Sequence, residues 1–284
     1  MPYDPPPAFL EGSFVWDRLG YSFAGRPPLD LREPHLLSDA DPWIVLAATL
    51  VHAKNGDFAP VVRLSRYLTA DYSPLLIRAC IDLIGNVGDS ACIDLLQELL
   101  TAPTDWIRTE ACSGALLAAS LRLVPPMLQV WRRARRSDDR GEVSAVLSRL
   151  LEPSCGLIAM HDRLSDYAYE KIVADAADAL WSKLPHPGTP VWHGAPFWVP
   201  DFARQARNML RGAAGKYFHV SVEMLSFRQK FESFTGTDCS GFFKDRKLQF
   251  LAAAAVIEDF LESGKSTGFV YGQHYFFANA VSRD

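Results

Sequence analysis

The sequence lacks the residue patterns that metal sites, phosphate-binding loops and reactive cysteine pairs usually share. No C-x-x-C pair, G-x-G-x-x-G or G-x-x-x-x-G-K occurs in its 284 residues. His186 and His193 stand close together in the chain, but no nearby cysteine or glutamate completes a set of metal ligands. We therefore expect no metal site, no cofactor and no catalytic residue.

A strong charge of one sign and long apolar runs are also absent. The formal net charge is −4, with 22% charged and 49% hydrophobic residues, which excludes wholesale disorder and allows a sizeable core. A mildly acidic chain suits a basic protein partner better than nucleic acid, whose phosphates require clustered Lys and Arg. The apolar stretches are too short to span a bilayer, and the Met-Pro start lacks a signal-peptide pattern. We expect a cytoplasmic protein that binds neither nucleic acid nor membrane.

The sequence does contain a two-helix pattern that occurs twice. Ile77-Arg78 and Ile107-Arg108 lie 30 residues apart in similar surroundings, and the helical patterns before them, 61–68 and 93–100, are offset by 32. A period of this length that holds two helices is typical of α-solenoids, which mostly bind macromolecules along one face. The helix predicted at 74–86 is apolar almost all round, which indicates a helix packed between neighbours.

These segments resemble the short bacterial form of HEAT repeats over about residues 41–151. The resemblance is carried by Pro74, Ile77-Arg78, Cys80, Leu83-Ile84-Gly85, Gly88-Asp89, Trp106-Ile107-Arg108 and Ala111-Cys112. A third copy near 131–151 has no Ile-Arg pair, and a generic helical bundle with two similar hairpins is the alternative. The resemblance implies an all-α fold of HEAT/armadillo-like helical hairpin repeats, an α-solenoid.

The chain divides into three predicted segments. Residues 1–40, rich in proline and aromatics, predict an irregular arm that caps the first repeat, with one short helix at 11–19. Residues 41–151 predict the repeats, with helices at 41–54, 58–69, 74–86, 90–101, 105–119, 125–136 and 140–151. Residues 152–284 predict a helical C-terminal region, with helices at 164–182, 201–212, 220–234 and 246–263. Its tail, 268–280, predicts a short β-hairpin that turns at Gly272 or a packed extended arm.

A loop at 184–200 interrupts the C-terminal region. Its five prolines exclude a helix. The same loop carries Trp192, Phe197 and Trp198, and a long loop with large apolar side chains is usually either packed against the core or functional. Both interpretations are open at this point.

One strongly basic run, Trp131 to Arg136, holds four arginines. On a continuous helix Arg132, Arg135 and Arg136 share a face, and Trp131 could stack on a nucleic-acid base. The acidic residues Asp138, Asp139 and Glu142 follow at once, which favours the alternative of a solvated helix end.

The segment 235–241 places Cys239 beside Asp238, within possible reach of His219 or His274. The adjacent carboxylate disfavours a thiolate, because reactive cysteines sit in electropositive surroundings. We expect Asp238 to cap a turn between two helices. The cysteines number five, an odd count, and we expect all of them to be reduced and mostly buried.

The C-terminal region carries a second resemblance, to helical, HEAT-like immunity proteins of bacterial polymorphic toxin systems, including the Rhs-type effectors of type VI secretion. The order of its segments, 227–240, 251–262 and 271–277, carries it. The resemblance implies that the chain binds the toxin domain of a cognate effector in the cytoplasm and blocks its active site, without chemistry of its own.

The same resemblance implies a basic toxin domain as the partner, since many toxins of these systems attack nucleic acids or nucleotides. The expected partner-binding residues are Trp192, Phe197 and Trp198 as anchors and Asp138, Asp139 and Glu142 as the charged part. The alternatives are a HEAT-repeat adaptor or regulatory scaffold for another protein and an enzyme, either a HEAT-like DNA glycosylase or a phycobilin-lyase-like protein.

Overall fold

The computed structural model describes residues 6–7, 9–10, 27, 29–153, 156–212, 217–245 and 247–283. These residues form two compact units. The hairpin unit comprises Phe58–Phe197 with the residues from Val281 onward, and the aromatic unit comprises the residues up to Asp57 with Trp198–Ala280. Within the described ranges, the helices are too short or too polar to cross a membrane.

The hairpin unit is built from successive helices joined by short turns. Helix α1 (Pro42–Lys54) belongs to the aromatic unit. The α-helices of the hairpin unit are, in chain order, α2 (Pro74–Val87), α3 (Ser90–Leu99), α4 (Asp105–Ala118), α5 (Val124–Arg133), α6 (Ser137–Leu151) and α7 (Asp166–Trp181). Three 3-10 turns, Val61–Tyr67, Leu121–Leu123 and His161–Arg163, and one two-stranded pair, β1 (Val191–Trp192) with β2 (Ala195–Pro196), complete it. The most extensive packing joins α2 to α4, and α4 packs in turn on α6.

Local sequence explains where α2 and α3 begin and end. The Ser73 hydroxyl accepts a hydrogen bond from the Leu75 amide, and Pro74 occupies the first helical position. Gly88 ends α2 with a φ of 52°, a left-handed conformation that glycine adopts at little cost. The Asp89 carboxylate then accepts a hydrogen bond from the Cys92 amide at 2.7 Å and starts α3.

The α2 and α4 helices approach each other most closely where two glycines meet. A Cβ atom added to Gly85 would overlap the Gly114 backbone, with the Gly114 Cα only 2.9 Å away. A Cβ atom added to Gly114 would lie 2.7 Å from Cγ2 of Ile81 and 2.9 Å from Cδ2 of Leu96. Backbone cannot rotate away as a side chain can, so this crossing requires glycine at position 85.

We expect Gly85→Ala to lower the free energy of unfolding by about 1–3 kcal/mol, because the added methyl group must push two packed helices apart. Gly141→Ala is the matched control: its Cβ would meet only Cε1 of His161, at an ordinary 3.6 Å. Alanine is the better helix former, so the control should be neutral or stabilising by up to about 1 kcal/mol. Urea unfolding of both variants measures the difference, and equal stability of the two would contradict the close crossing.

The aromatic unit contains four α-helices and two short strand pairs, with a core rich in phenylalanine rings. Its α-helices are α1 (Pro42–Lys54), α8 (Val199–Arg211), α9 (Tyr217–Thr235) and α10 (Phe250–Glu262). The strands are β3 (Phe243–Lys244) with β4 (Lys247–Leu248), and β5 (His274–Phe276) with β6 (Asn279–Val281). Two 3-10 turns near α10, Ser240–Phe242 and Lys265–Gly268, and one before α1, Pro34–Ser38, join them. Phe231 stacks on Phe227 at 5.0 Å and meets Phe260 edge-on at 4.9 Å.

The turn between β5 and β6 caps α9. Phe277 and Ala278 both adopt positive φ values, 48° and 60°. Their amides donate to the carbonyls of Ser233 and Phe234 at 2.6 and 2.8 Å, and so satisfy groups that the end of a helix leaves without partners.

The predicted helical fold class is confirmed, whereas the solenoid arrangement of the hairpins stays a prediction. The segment predicted as a helix at 58–69 is a 3-10 turn, and the helix predicted to reach 136 ends at Arg133. A tail hairpin is present, but it turns at Phe277-Ala278 rather than at Gly272. The β1–β2 and β3–β4 pairs were not predicted.

The two units do not follow the three predicted segments. Helix α1 groups with the C-terminal helices, since the side-chain amide of Asn279 donates to the Lys54 carbonyl at 3.0 Å. Residues 152–197 group instead with the hairpins. Most of the predicted arm at 1–40, including the helix at 11–19, lies outside the described residues.

Candidate binding surfaces

The proline-rich loop forms a small hairpin that closes two helix ends. Strands β1 and β2 pair Val191 with Pro196, and the turn uses His193 and Gly194 at φ values of 50° and 70°. The Val191 amide donates to the Ala119 carbonyl just after α4 at 2.8 Å. The amides of His193 and Gly194 donate to the carbonyls of Arg149 and Leu150 in the last turn of α6, at 2.8 and 2.9 Å.

This closure buries two of the three predicted anchors. Trp192 is 7% exposed and Phe197 is 4% exposed. Burial at this level favours packing of the loop against the core over display to a partner. Both rings are buried rather than displayed, so their role as anchors stays a prediction and requires them to become exposed when a partner binds.

Trp198, the third predicted anchor, belongs to the aromatic unit and is only half-buried. Its indole N–H donates to the Phe269 carbonyl at 3.0 Å, and the Arg204 guanidinium lies 5.5 Å from its ring centroid. The Tyr271 ring meets it edge-on at 6.2 Å. Tyr271 is 50% exposed and Val270 65% exposed. We call Trp198, Val270 and Tyr271 the Trp198 surface.

The three predicted carboxylates lie together in the first two turns of α6. Asp138 and Glu142 are exposed and Asp139 is half-buried. The Arg136 guanidinium lies 3.7 Å from the Asp138 carboxylate, an exposed pair of little energetic value. Carboxylates at a helix N-terminus also stabilise the helix, so their position alone is consistent with a structural role.

An open groove of about 690 Å³ lies beside these carboxylates, where α5 passes into α6. The chain leaves α5 because Ala134 is extended, with ψ at 123°. The residues that line the groove are Trp131, Arg132, Arg133, Ala134, Arg135, Ser137, Arg140, His161, Asp162, Leu164 and Asp166. We call it the arginine groove. The sequence showed the basic run, but it gave no signal that Arg140 and Asp166 would join it.

Two arginines of the groove already hold carboxylates of α7. Arg132 binds Glu170 with two hydrogen bonds, the second from Nη2 to Oε2 at 2.6 Å. Arg140 binds Asp166 from Nη1 to Oδ1 at 3.1 Å and from Nη2 to Oδ2 at 3.4 Å. Both pairs use the planar fork that suits a carboxylate.

Trp131 forms the floor of the groove and is 1% exposed. It stacks on Tyr169 at 4.2 Å, and the Arg140 guanidinium covers it at 4.5 Å from the ring centroid. The possibility that Trp131 stacks on a nucleic-acid base is therefore wrong in this structure, because both sides of the ring are occupied.

The aromatic unit holds a cluster of partly buried charges at the end of α1. Burial lowers the pKa of Lys54 to about 8, although the carboxylates of Glu232 and Asp238 raise it. The Lys54 ammonium lies 4.6 Å from the centroid of the Phe277 ring, and the Arg228 guanidinium lies 3.9 Å from Glu232. These contacts hold α1 against α9 and the β5–β6 turn.

Cys239 lies at the edge of this cluster and is fully buried. Burial is the largest cause that raises its pKa far above that of a free thiol, and its thiol lies 3.4 Å from the Thr237 carbonyl. A thiol in this environment is not a ready nucleophile. Asp238 accepts from the Ser240 amide at 2.8 Å, which confirms the predicted turn cap. The side chain of His219 lies outside the described residues.

The other described cysteines, Cys80, Cys92 and Cys112, are free and buried as predicted, and Cys155 lies outside the described residues. Residues 264–268 read G-x-S-x-G, but they form a 3-10 turn after α10 and not the strand-to-helix turn of a hydrolase nucleophile. Across the described ranges, His, Cys, Asp and Glu side chains nowhere gather in the groups of three or more that hold a metal ion.

Comparisons of the chain with protein-family models, with curated proteins and with solved structures found no match.

Proposed function

We propose that this chain is an immunity protein that binds the toxin domain of a cognate bacterial effector and blocks its active site. The proposal requires protein binding and no chemistry from the chain itself. The observation that carries it is the Trp198 surface, where a half-buried tryptophan and two exposed apolar side chains adjoin.

Such a surface has the composition of a protein-binding hot spot. Tryptophan, tyrosine and arginine dominate the energetics of protein interfaces, and the Trp198 surface adds Arg204 to its two aromatic rings. The hydrogen bond from the Trp198 indole to Phe269 fixes the ring before any partner arrives. A fixed ring loses little conformational entropy on binding, which favours affinity.

Three carboxylates at the start of α6, two of them exposed, supply the second part of the proposal. Asp138, Asp139 and Glu142 would face the basic cleft of a toxin that acts on nucleic acids or nucleotides. Rim charges of this kind mainly speed association and depend on salt.

The direct test is co-expression with the polypeptide encoded next to this chain, followed by size-exclusion chromatography and a growth assay. A stable complex together with rescued growth is the expected result. A toxic neighbour that neither binds the chain nor loses its toxicity would overturn the proposal. A stable complex with a non-toxic neighbour would instead favour an adaptor.

We expect Tyr271→Ala to weaken the complex by about 2 kcal/mol or more, because it removes an exposed ring from the Trp198 surface. Tyr271 is half-exposed, so the thermal midpoint of the free chain should change little. Tyr167→Ala, which removes an exposed tyrosine from α7, is the control and should leave affinity unchanged. Calorimetric titration of both variants with the toxin domain measures the effect, and equal affinities would remove the Trp198 surface from the interface.

A further inference from the structure

We infer that the arginine groove binds carboxylate groups from an acidic segment of a protein partner. This inference rests on the proposed function, because it assigns a second contact site to the same binding protein. It differs from the sequence-based expectation, in which the chain offers only negative charge to a basic partner.

Two arginines of the groove have unused donors. Arg133 and Arg135 are exposed, both line the groove, and neither forms a hydrogen bond or ion pair with any residue in the described part of the chain. A guanidinium carries five N–H donors in a planar fork that matches the geometry of a carboxylate.

The floor of the groove holds a further unused donor. The indole N–H of Trp131 is buried and has no acceptor among the residues that the structure describes. A buried donor without an acceptor costs about 1–3 kcal/mol. Protein atoms enclose this N–H, so a carboxylate seated in the groove would be held by the donors of Arg133 and Arg135.

The ion pairs within the groove indicate which anion suits it. Its two paired arginines, Arg132 and Arg140, hold the carboxylates of Glu170 and Asp166 through two donors each. A further carboxylate would therefore enter a site whose walls are shaped for the same group. The volume of about 690 Å³ accommodates a few side chains of an extended peptide.

A nucleic-acid backbone fits the same groove less well. Nucleic-acid binding requires a broad field of positive charge, whereas the acidic first turn of α6, with Asp138 and Asp139, borders this groove. The chemistry of the groove thus favours a short acidic peptide.

The test is a titration of the full chain with dye-labelled hexaglutamate, with hexaglutamine and a six-nucleotide oligothymidylate as competing probes. The groove variant is the double substitution Arg133→Ser and Arg135→Ser. Its matched control is Arg63→Ser with Arg149→Ser, which removes two exposed arginines from the same unit but outside the groove. Circular dichroism of both variants verifies that the helices persist.

We expect saturable hexaglutamate binding that the groove variant weakens about tenfold or more and the control variant changes less than about twofold. Equal weakening by both variants would attribute binding to net charge and overturn the inference. Tighter, groove-dependent binding of oligothymidylate would assign the groove to nucleic acid, and an absence of saturable hexaglutamate binding would equally refute the assignment.

The groove variant also separates this inference from the proposed function. If the cognate complex forms and protects cells as well with the groove variant as with the parent chain, the groove inference fails and the immunity proposal stands. If neither chain binds or neutralises the toxin, the immunity proposal fails with the inference that rests on it.

Discussion

Replacing Ile77 by aspartate should abolish folding of the hairpin unit. Ile77 lies one turn into α2, is fully buried, and belongs to the helix that packs most extensively on α4. The substitution buries a carboxyl group in the apolar core. The free energy of unfolding then falls by several kcal/mol, whether the group stays ionised or takes up a proton. A domain of this size is stable by only about 5–15 kcal/mol, and the loss of packing adds to the cost.

The measurement is the yield of folded protein and its thermal unfolding, followed by circular dichroism. Ala91→Asp is the matched control, because Ala91 is exposed near the start of α3, where a carboxylate is favourable. We expect the control to melt like the parent chain. A fully folded Ile77→Asp protein with an unchanged melting temperature would show that α2 is not enclosed by its neighbours.

The helices at 74–87 and 90–99 could be predicted because the residues that start and end them act locally. Pro74 and Ser73 start one helix, Gly88 ends it, and Asp89 starts the next, and each acts on groups within a few residues. The apolar residues all round α2 likewise predicted a buried helix from the sequence. None of these signals depends on residues far away in the chain, so the helix boundaries can be predicted from the local sequence alone.

The basic run shows how a local signal can mislead. Five residues from Arg132 to Arg136 favour a helix by propensity, yet α5 ends at Arg133 and the chain turns into α6. The groove that results depends on Arg140 and on Asp166, which is 26 residues further along and meets Arg140 only through tertiary packing. A sequence pattern within one helix could therefore not have predicted this groove.

The position of Arg283 could not be predicted from the sequence either, because it depends on contacts with distant residues. Arg283 would ordinarily be assigned to solvent, but it is buried in the hairpin unit and donates to the carbonyls of Ala118 and Gly188 at 2.5 and 3.4 Å. Burial lowers its pKa to about 9, with Asp89 acting in the opposite direction. A positive charge at the C-terminal end of α4 stabilises that helix. The contacts of Arg283 span 95 and 165 residues of sequence, so no local sequence pattern predicts them.

Trp192→Ala should lower the free energy of unfolding by about 3–5 kcal/mol, the usual cost of removing a large buried aromatic ring. The ring lies on the hairpin that supplies amide donors to the ends of α4 and α6, so its loss leaves a cavity and loosens both closures. Trp181→Ala is the matched control: Trp181 ends α7 and is 43% exposed, and its removal should cost only about 1 kcal/mol.

This pair of variants decides what the proline-rich loop does. An anchor for a partner would leave the melting temperature unchanged and weaken only the complex, whereas a core residue lowers the melting temperature of the free chain. The hydrogen bonds from Val191, His193 and Gly194 to two helix ends favour the second result, because a loop held at three points has little freedom to reach outward. A Trp192→Ala chain that melts with the parent would return Trp192 to the interface and would require the loop to open when the partner binds.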